Sequence, residues 1–254
     1  MCGIIGAYKF RDCKLSIQPG IQALHFRGPD GNGFYESGKV QLGQARLAII
    51  DITEGGKQPM ADPTGRYVIA FNGEIFNYRE LKQKLLQKGV QFQSESDTEV
   101  LLHLFIHEKE AAFAQLNGFF AFAVWDSHEE VLTIARDRYG IKPLLIYQDS
   151  DKLIFGSEMK ALLACGIRKE LDQTAIQQFL QFNYIPPDSC IFKTVRKLRP
   201  GSYLTIKGSE LTEKKWYEIK IDVEKPAIPQ DYEAKQKMLV DLLDDAVQKR
   251  LIAD

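Results

Sequence analysis

The chain has 254 residues, enough for one large domain or for one domain and part of another. Its 33 Lys and Arg residues balance 34 Asp and Glu residues, and the net charge of −1 argues against nucleic acid or an anionic membrane as the main partner. The four cysteines form no C-x-x-C pair, and no apolar run approaches the roughly 18 residues of a membrane helix. Without a signal-peptide pattern at its start, the sequence is most simply interpreted as that of a cytoplasmic protein with free thiols.

The first half of the sequence is a series of short apolar segments separated by turns, which is the pattern of strands. The loops at residues 126–129 and 148–152 have the length of hairpin connections. The predicted strands are Gly3–Tyr8, Gln41–Asp51, Tyr67–Phe71, Phe119–Trp125, Val131–Ala135, Leu144–Tyr147 and Leu153–Phe155.

Helical patterns interrupt these strands. Asn77 can cap a helix that runs to Lys88, with Glu80 in the capping-box position and Gly89 as the stop signal. Strands that pair mainly through hairpins, with helices inserted in blocks, predict an α+β fold with antiparallel sheets. The other helices are predicted to begin near Asp97 or Thr98 and to cover Glu158–Cys165 and Asp172–Phe182.

The composition changes near the end of the chain. Ile221–Pro229 holds two prolines and few large apolar residues, as a linker does, and Asp231–Leu251 places its apolar residues on one helical face. The chain ends without a further core to receive that face. We therefore expect one domain over residues 1–210, followed over residues 211–254 by a linker and the first helix of a truncated second domain.

Cys2 can form a compact catalytic unit. Removal of Met1 would expose its α-amine, whose reference pKa of about 7.7–8.0 lets it take the thiol proton near neutral pH. No histidine is then needed to activate the nucleophile. A cysteine at position two, taken alone, is more often a buried structural residue.

The residues around Cys2 change that interpretation. Met1–Gly6 resembles the start of the class II glutamine amidotransferases, which are N-terminal-nucleophile hydrolases. The resemblance implies a four-layer αββα sandwich of two antiparallel sheets. Six further stretches, in order along the chain, resemble the glutaminase half of the glutamine-hydrolysing asparagine synthetases: Phe26–Gly31, Ala45–Asp51, Phe71–Asn77, Ser96–Glu99, Arg136–Leu144 and Gly156–Leu162.

The resemblance also implies the roles of individual residues. It makes Cys2 the nucleophile and Asn72 and Gly73 the oxyanion hole. The guanidinium of Arg46 can hold the α-carboxylate of glutamine at two points, and the carboxylates of Glu74 and Asp97 can hold its α-ammonium. The resemblance assigns a run of consecutive residues to the glutamine pocket: Arg46, Leu47, Ala48, Ile49 and Ile50.

Each of these residues also has a plainer interpretation. Arg46 could be a surface arginine at a strand end, and Asp97 could be a helix N-cap. Glu74 could be an ordinary turn acid, while spacing alone favours a hairpin turn for Asn72-Gly73.

Other chemical signals in the sequence are weak. His103 and His107 lack the glutamate of the H-E-x-x-H zinc motif, and no metal is expected in this chain. The charges at Arg136, Asp137 and Arg138 are interpreted as solvated or ion-paired groups at a strand end that only support the site.

The expected function is hydrolysis of L-glutamine to glutamate and ammonia through a thioester on Cys2. In the family, the ammonia serves the ATP-dependent conversion of aspartate to asparagine by the protein's own C-terminal synthetase domain. ATP and Mg²⁺ are expected in that missing domain, no cofactor is expected in this chain, and a homodimer is left open. The alternatives are a related amidotransferase with another acceptor, such as a sugar or polysaccharide precursor, or a catalytically silent regulatory or binding module.

Overall fold

Two six-stranded antiparallel sheets form the centre of the computed structural model, which describes residues 2–187, 189–219, 228–229 and 231–251. The first sheet has the order β10-β8-β9-β1-β3-β2 and the second the order β12-β11-β7-β6-β5-β4. In chain order the strands are β1 (Gly3–Lys9), β2 (Gly31–Ser37), β3 (Val40–Arg46), β4 (Met60–Ala61), β5 (Tyr67–Ile75), β6 (Gly118–Asp126), β7 (Val131–Arg136), β8 (Leu145–Gln148), β9 (Lys152–Gly156), β10 (Val195–Lys197), β11 (Ser202–Lys207) and β12 (Glu210–Lys215).

The first four α-helices of the chain cover the outer faces of the two sheets. In chain order the helices are α1 (Gln18–Ala23), α2 (Tyr78–Gln87), α3 (Asp97–Glu108), α4 (Met159–Ala164), α5 (Gln173–Phe182) and α6 (Tyr232–Gln248). None of the helices among the described residues is long and apolar enough to cross a membrane.

Three apolar clusters define the layers of the fold. One lies between the two sheets and contains Ile4 and Val68. The next residue along β1, Ile5, faces the opposite way and packs with α1 and α4, because successive side chains of a strand alternate between its faces. The third cluster joins Phe71 of β5 to α2 and α3. The α+β class and the αββα sandwich of two antiparallel sheets are therefore confirmed.

The predicted turn at Asn72-Gly73 is wrong. Both residues lie inside β5, which pairs with β6 as far as Ile75, and Gly73 stands opposite Phe120. A Cβ on Gly73 would lie 2.3 Å from the carbonyl oxygen of Phe119. The glycine is thus required by the close approach of two strands and not by a turn.

The predicted strand Gln41–Asp51 is too long at its C-terminal end. Sheet pairing of β3 stops at Arg46, and the following residues form a loop. The guanidinium of Arg46 donates to the carbonyl oxygens of Thr53, at 3.0 Å, and of Asp51, which folds the loop back over the strand end.

The second sheet continues beyond residue 210, where the sequence places the end of the domain. β12 pairs with β11 up to Lys215, and the ring of Trp216 stacks on Phe120 with 5.9 Å between centroids. Residues 221–227 of the predicted linker Ile221–Pro229 lie outside the described residues. The helix predicted after it is present as α6, in which no described residue is buried.

Candidate active site

A pocket lies where the ends of β1, β3 and β5 meet. Ile4 and Gln44 stand opposite each other in the β1–β3 pair, so their side chains share the face that looks toward the second sheet. Cys2 and Arg46 follow on that face by the two-residue period of a strand. From the second sheet, Asn72 and Glu74 continue the row of Val68 and Ala70, which faces the first sheet. The pocket is therefore built from the facing surfaces of both sheets.

The pocket has a volume of about 60 Å³ and brings together most of the residues singled out in the sequence. Ala48 is the exception, because it does not line the pocket and donates its N–H to a carboxylate oxygen of Asp30 at 2.9 Å. The predicted site residues that line the pocket are Cys2, Arg46, Leu47, Ile49, Ile50, Asn72, Gly73, Glu74 and Asp97.

The thiol of Cys2 is half-buried and is held by the backbone of Leu47. Sγ lies 3.3 Å from both the amide nitrogen and the carbonyl oxygen of that residue, accepting from the first and donating to the second. The carbonyl oxygen of Cys2 accepts from Nε of Arg27 at 2.8 Å, and Nη1 of Arg27 donates to Glu158 at 2.8 Å. Both ends of the cysteine are thus fixed beside the pocket.

Two carboxylates meet at the opposite side of the pocket. Asp97 is 5% exposed, and burial together with the nearby negative charge of Glu74 raises its pKa to about 7, although the N–H of Ile75 donates to it at 3.0 Å. Burial also raises the pKa of Glu74, against the opposing effect of the Lys142 ammonium. Such a pair favours the binding of a cation, because a positive charge would stabilise both ionised forms.

Asp97 is not the N-cap of α3. The cap is Ser96, whose hydroxyl oxygen accepts from the N–H of Thr98 at 3.1 Å, and Asp97 is the first residue of the helix. The carboxylate of Asp97 contacts β5 through the N–H of Ile75, and Asp97 lines the pocket.

The backbone of β5 presents one edge to the pocket. The N–H groups of residues 71, 73 and 75 point to the same edge, because they are spaced two apart along a strand. The first donates to Oε1 of Gln58 at 2.6 Å and the third to Asp97. Gly73 lies between them and lines the pocket, so its N–H points into the pocket, where an oxyanion could accept it.

The side chain of Asn72 is held by Ser157. Nδ2 of Asn72 donates to the Ser157 hydroxyl oxygen at 3.3 Å, and that oxygen also accepts from the N–H of Ile4 at 3.0 Å. Oδ1 of Asn72 is buried without a partner. A half-turn of the amide would let the Ser157 hydroxyl donate to Oδ1 and would release Nδ2 toward the pocket.

Several residues that line the pocket were not predicted from the sequence. Ser96 and Thr98 flank Asp97 and could have been found by their position in the same motif. Gln44 and Gln58 become site residues only through the tertiary structure. The full set of missed residues is Gln44, Gly56, Gln58, Phe71, Ser96, Thr98 and Lys142.

Lys142 reaches the pocket because a buried aspartate organises the turn before it. Asp137 is 1% exposed and accepts from the N–H groups of Tyr139, Ile141 and Lys142 at 3.0–3.1 Å. Arg136 is also buried and donates to the carbonyl oxygen of Lys142 at 2.8 Å. Of the two expectations for these strand-end charges, solvated or ion-paired, the first is wrong for Arg136 and Asp137, because both are buried.

Lys142 carries a positive charge close to the nucleophile. Burial and the Arg27 guanidinium lower its pKa, while Glu74 and Cys2 raise it. No group of three potential metal-ligating side chains occurs among the described residues. The chemistry of the pocket is thus that of a thiol, an amide-lined strand edge, two cations and two carboxylates.

Comparison with known proteins identifies the family to which the chain belongs. A sequence model of the glutamine amidotransferase domain matches residues 1–217. The glutamine-hydrolyzing asparagine synthetase 1 of Bacillus subtilis (strain 168) is 40% identical over 213 residues, which are 82% of this chain and 34% of that protein. The glutamine-hydrolyzing asparagine synthetase 3 of the same organism is 36% identical over 264 residues, covering 100% of this chain and 42% of that protein.

A solved structure shares the fold. The glutamine phosphoribosylpyrophosphate amidotransferase of B. subtilis, complexed with ADP and GMP, superposes with a TM-score of 0.65 at 22% identity and covers 85% of this chain and 49% of that one. The chain spans between a third and a half of the length of the two asparagine synthetases. The resemblance drawn from the sequence motifs is confirmed, and the chain belongs to the glutamine amidotransferase domain family.

Proposed function

We propose that this chain hydrolyses L-glutamine to glutamate and ammonia at Cys2. The observation that carries the proposal is the complementarity between one pocket and one amino acid. The Arg46 guanidinium lines the pocket and can hold an α-carboxylate. The buried pair of Glu74 and Asp97 suits an α-ammonium, and the Cys2 thiol can meet a side-chain carboxamide.

The reaction begins when Met1 has been removed and the α-amine of Cys2 is free. The amine takes the thiol proton, and Sγ forms a bond to the carboxamide carbon of glutamine. The negative charge that develops on the carboxamide oxygen is stabilised by the N–H of Gly73 and, after the half-turn of its amide, by Nδ2 of Asn72. The C–N bond then breaks, and the nitrogen leaves as ammonia with the proton from the α-ammonium. Water hydrolyses the thioester to glutamate and restores the thiol.

We further propose that the ammonia serves an ATP-dependent synthetase domain of a longer cytoplasmic protein, which converts aspartate to asparagine. The names of the two B. subtilis relatives support this acceptor, and this chain covers only 34% and 42% of their lengths. ATP and Mg²⁺ would bind to that second domain. A homodimer stays a prediction.

Labelling of the nucleophile tests the glutaminase proposal. The chain, with loss of Met1 verified by intact mass, should release glutamate and ammonia from glutamine, and 6-diazo-5-oxo-L-norleucine should add one covalent label at Cys2. A Cys2→Ala variant should lose both the turnover and the label.

Cys165→Ala is the matched control. Burial raises the pKa of the Cys165 thiol, and this residue does not line the pocket, so the variant should keep full activity and the label. Turnover of glutamine by Cys2→Ala at the parental rate would overturn the proposal.

A further inference from the structure

Two residues that line the pocket have a side-chain amide oxygen without a hydrogen-bond donor. Oε1 of Gln44 and Oδ1 of Asn72 are buried and have no partner in the described part of the chain, and each residue is only 1% exposed. A buried acceptor without a donor is unfavourable, and buried polar atoms of this kind mark places where a ligand can donate.

The two oxygens differ in whether the protein itself can satisfy them. Asn72 needs only the half-turn that brings Oδ1 to the Ser157 hydroxyl. Gln44 has no such alternative, because its Nε2 donates to the carbonyl oxygen of Phe71 at 2.9 Å and a half-turn would place two carbonyl oxygens against each other. A rearrangement of the Gln44 amide alone therefore supplies no donor, and Gln44 lines the pocket, where a bound ligand can supply one.

Gln44 lines the same pocket as the nucleophile and the oxyanion donors. It pairs across the sheet with Ile4, two residues after Cys2, and its side chain binds the carbonyl oxygen of Phe71, the residue before Asn72. A carboxamide held between Cys2 and Asn72 therefore lies next to Gln44. Glutamine offers two kinds of N–H donor, and its α-ammonium is matched by the carboxylates of Glu74 and Asp97.

We propose that Oε1 of Gln44 accepts a hydrogen bond from the nitrogen of the scissile carboxamide and from the ammonia that forms from it. This inference rests on the proposed glutaminase function and names a residue that recognises the leaving group. The hydrogen bond fixes one N–H of the carboxamide nitrogen. A lone pair develops on this nitrogen as the carboxamide carbon becomes tetrahedral. The fixed N–H then directs that lone pair toward the proton on the Cys2 α-ammonium.

A pair of substrates isolates the leaving group. L-Glutamine and the γ-methyl ester of L-glutamate share the α-carboxylate, the α-ammonium and the acyl group that is transferred to Cys2. The ester, however, leaves as methanol through an oxygen that carries no N–H. The ratio of kcat/KM for glutamine to kcat/KM for the ester therefore reports recognition of the nitrogen. A change in the nucleophile or the oxyanion hole affects both substrates equally and leaves this ratio unchanged.

In a Gln44→Met variant, which keeps the length of the side chain, this ratio should fall roughly tenfold, as expected for the loss of one hydrogen bond in the transition state. A Gln44→Leu variant should show the same fall if Gln44→Met folds poorly. Leu42→Val, a core change in the same strand and outside the pocket, is the matched control and should leave the ratio unchanged.

The outcomes separate the two proposals. Equal losses for both substrates would overturn the role of Gln44, because a contact to the α-ammonium or a displaced strand affects both. An unchanged ratio with full activity would overturn it as well. If the parent chain turned over neither substrate, the glutaminase proposal itself would fail.

Discussion

The buried carboxylate of Asp97 lowers the stability of the folded state, but it suits the proposed reaction. Its pKa is raised to about 7 because it is buried beside Glu74, and the N–H of Ile75 compensates only in part. A bound ammonium would supply the missing positive charge. The affinity for glutamine should therefore depend on the protonation of Asp97.

We predict that KM for glutamine rises as the pH falls below about 7. Protonation of Asp97 removes the negative charge that attracts the α-ammonium, whereas above about 7 the charge is present. Steady-state kinetics between pH 5.5 and 8.5 measure the effect. An Asp97→Asn variant should have a high KM that does not vary over this range, and a parental KM that stays constant would contradict the assignment.

The same substitution should stabilise the protein at high pH. The pKa of Asp97 rises from 3.8 in the unfolded chain to about 7 in the folded one, so the unfolded state loses its proton first as the pH rises. The folded state is thus disfavoured progressively between about pH 4 and 7 and uniformly above, by an amount on the order of 4 kcal/mol. Urea unfolding should show Asp97→Asn to be more stable than the parent at pH 8 and equal to it at pH 4. A variant that is less stable at pH 8 would refute this.

The site residues that could be predicted from the sequence are recognisable by residue type and local motif, whereas the others become site residues only through tertiary contacts. Cys2, Arg46 and Asp97 carry chemistry that is visible in the residue type and in its motif. Gln44 and Gln58 are ordinary glutamines until the fold brings a strand of the other sheet and a loop against β5 and places their amide groups beside the pocket. That juxtaposition depends on sheet register, which no local pattern contains.

At the scale of elements, a carboxylate joins a loop to a helix beside the site. Glu99 of α3 accepts from the N–H groups of Gln93 and Ser94 at 2.8 and 2.7 Å and from the Ser94 hydroxyl at 2.6 Å. Burial alone would raise its pKa, but His103 and these donors lower it to about 2. The clamp fixes the segment that leads to Ser96 and Asp97.

We predict that Glu99→Gln destabilises the protein at neutral pH by about 3 kcal/mol, because an amide can accept fewer of these hydrogen bonds and carries no charge. The folded pKa of about 2 lies below the usual value of 4.5, so the contribution is complete above pH 4.5 and is lost as the pH falls toward 2. Denaturant unfolding at pH 7, 5 and 4 measures the difference between parent and variant, which should begin to shrink below pH 5. KM for glutamine should rise as well, because Asp97 follows the loosened segment.

Glu108→Gln in the same helix is the control for the clamp. Its carboxylate pairs with Lys88 at the surface, where ion pairs contribute little, and its variant should lose less than about 1 kcal/mol. Equal losses of unfolding free energy for the two variants would show that the buried Glu99 contacts stabilise the protein no more than a surface ion pair does.

Strands and helices with a clear local sequence pattern were predicted well. Those that form only because they pair with an adjacent strand were not. The hairpin of β6 and β7 follows from two apolar runs around a short polar loop. Asn72-Gly73 has the composition of a turn, but the pairing of β5 with β6 overrides that preference. β12 has the sequence Glu-Leu-Thr-Glu-Lys-Lys, which is too polar to be recognised as a strand, and it forms because β11 provides an edge.

At the scale of the whole molecule, the sandwich forms the apolar core, whereas α6 lies outside it. The two sheets and α1 to α4 enclose all three apolar clusters. α6 contributes no buried residue, and its apolar side chains are exposed, including Leu239, Leu242 and Val247. This asymmetry agrees with the proposal that residues after the linker belong to another folding unit.

We predict that a chain ending at Ile219 keeps the stability and the glutaminase activity of the full chain. The Arg250 guanidinium does lie 5.1 Å from the Phe76 ring and 5.2 Å from the Phe119 ring. An exposed cation–π contact contributes only about 0.5–1 kcal/mol, so loss of α6 should lower the melting temperature by no more than about 2–4 °C. Calorimetry and glutamine kinetics on both chains make the comparison.

A chain ending at residue 209 is the control for this truncation, because it lacks both β12 and Trp216. The ring of Trp216 stacks on Phe120, and its Nε1 donates to the carbonyl oxygen of Arg136 at 3.2 Å. Loss of a large aromatic side chain packed on the core typically costs about 3–5 kcal/mol, so the melting temperature should fall by at least about 6 °C. If the two truncated chains were equally destabilised, α6 would have to be counted as part of the sandwich, and the proposed division of the chain would be wrong.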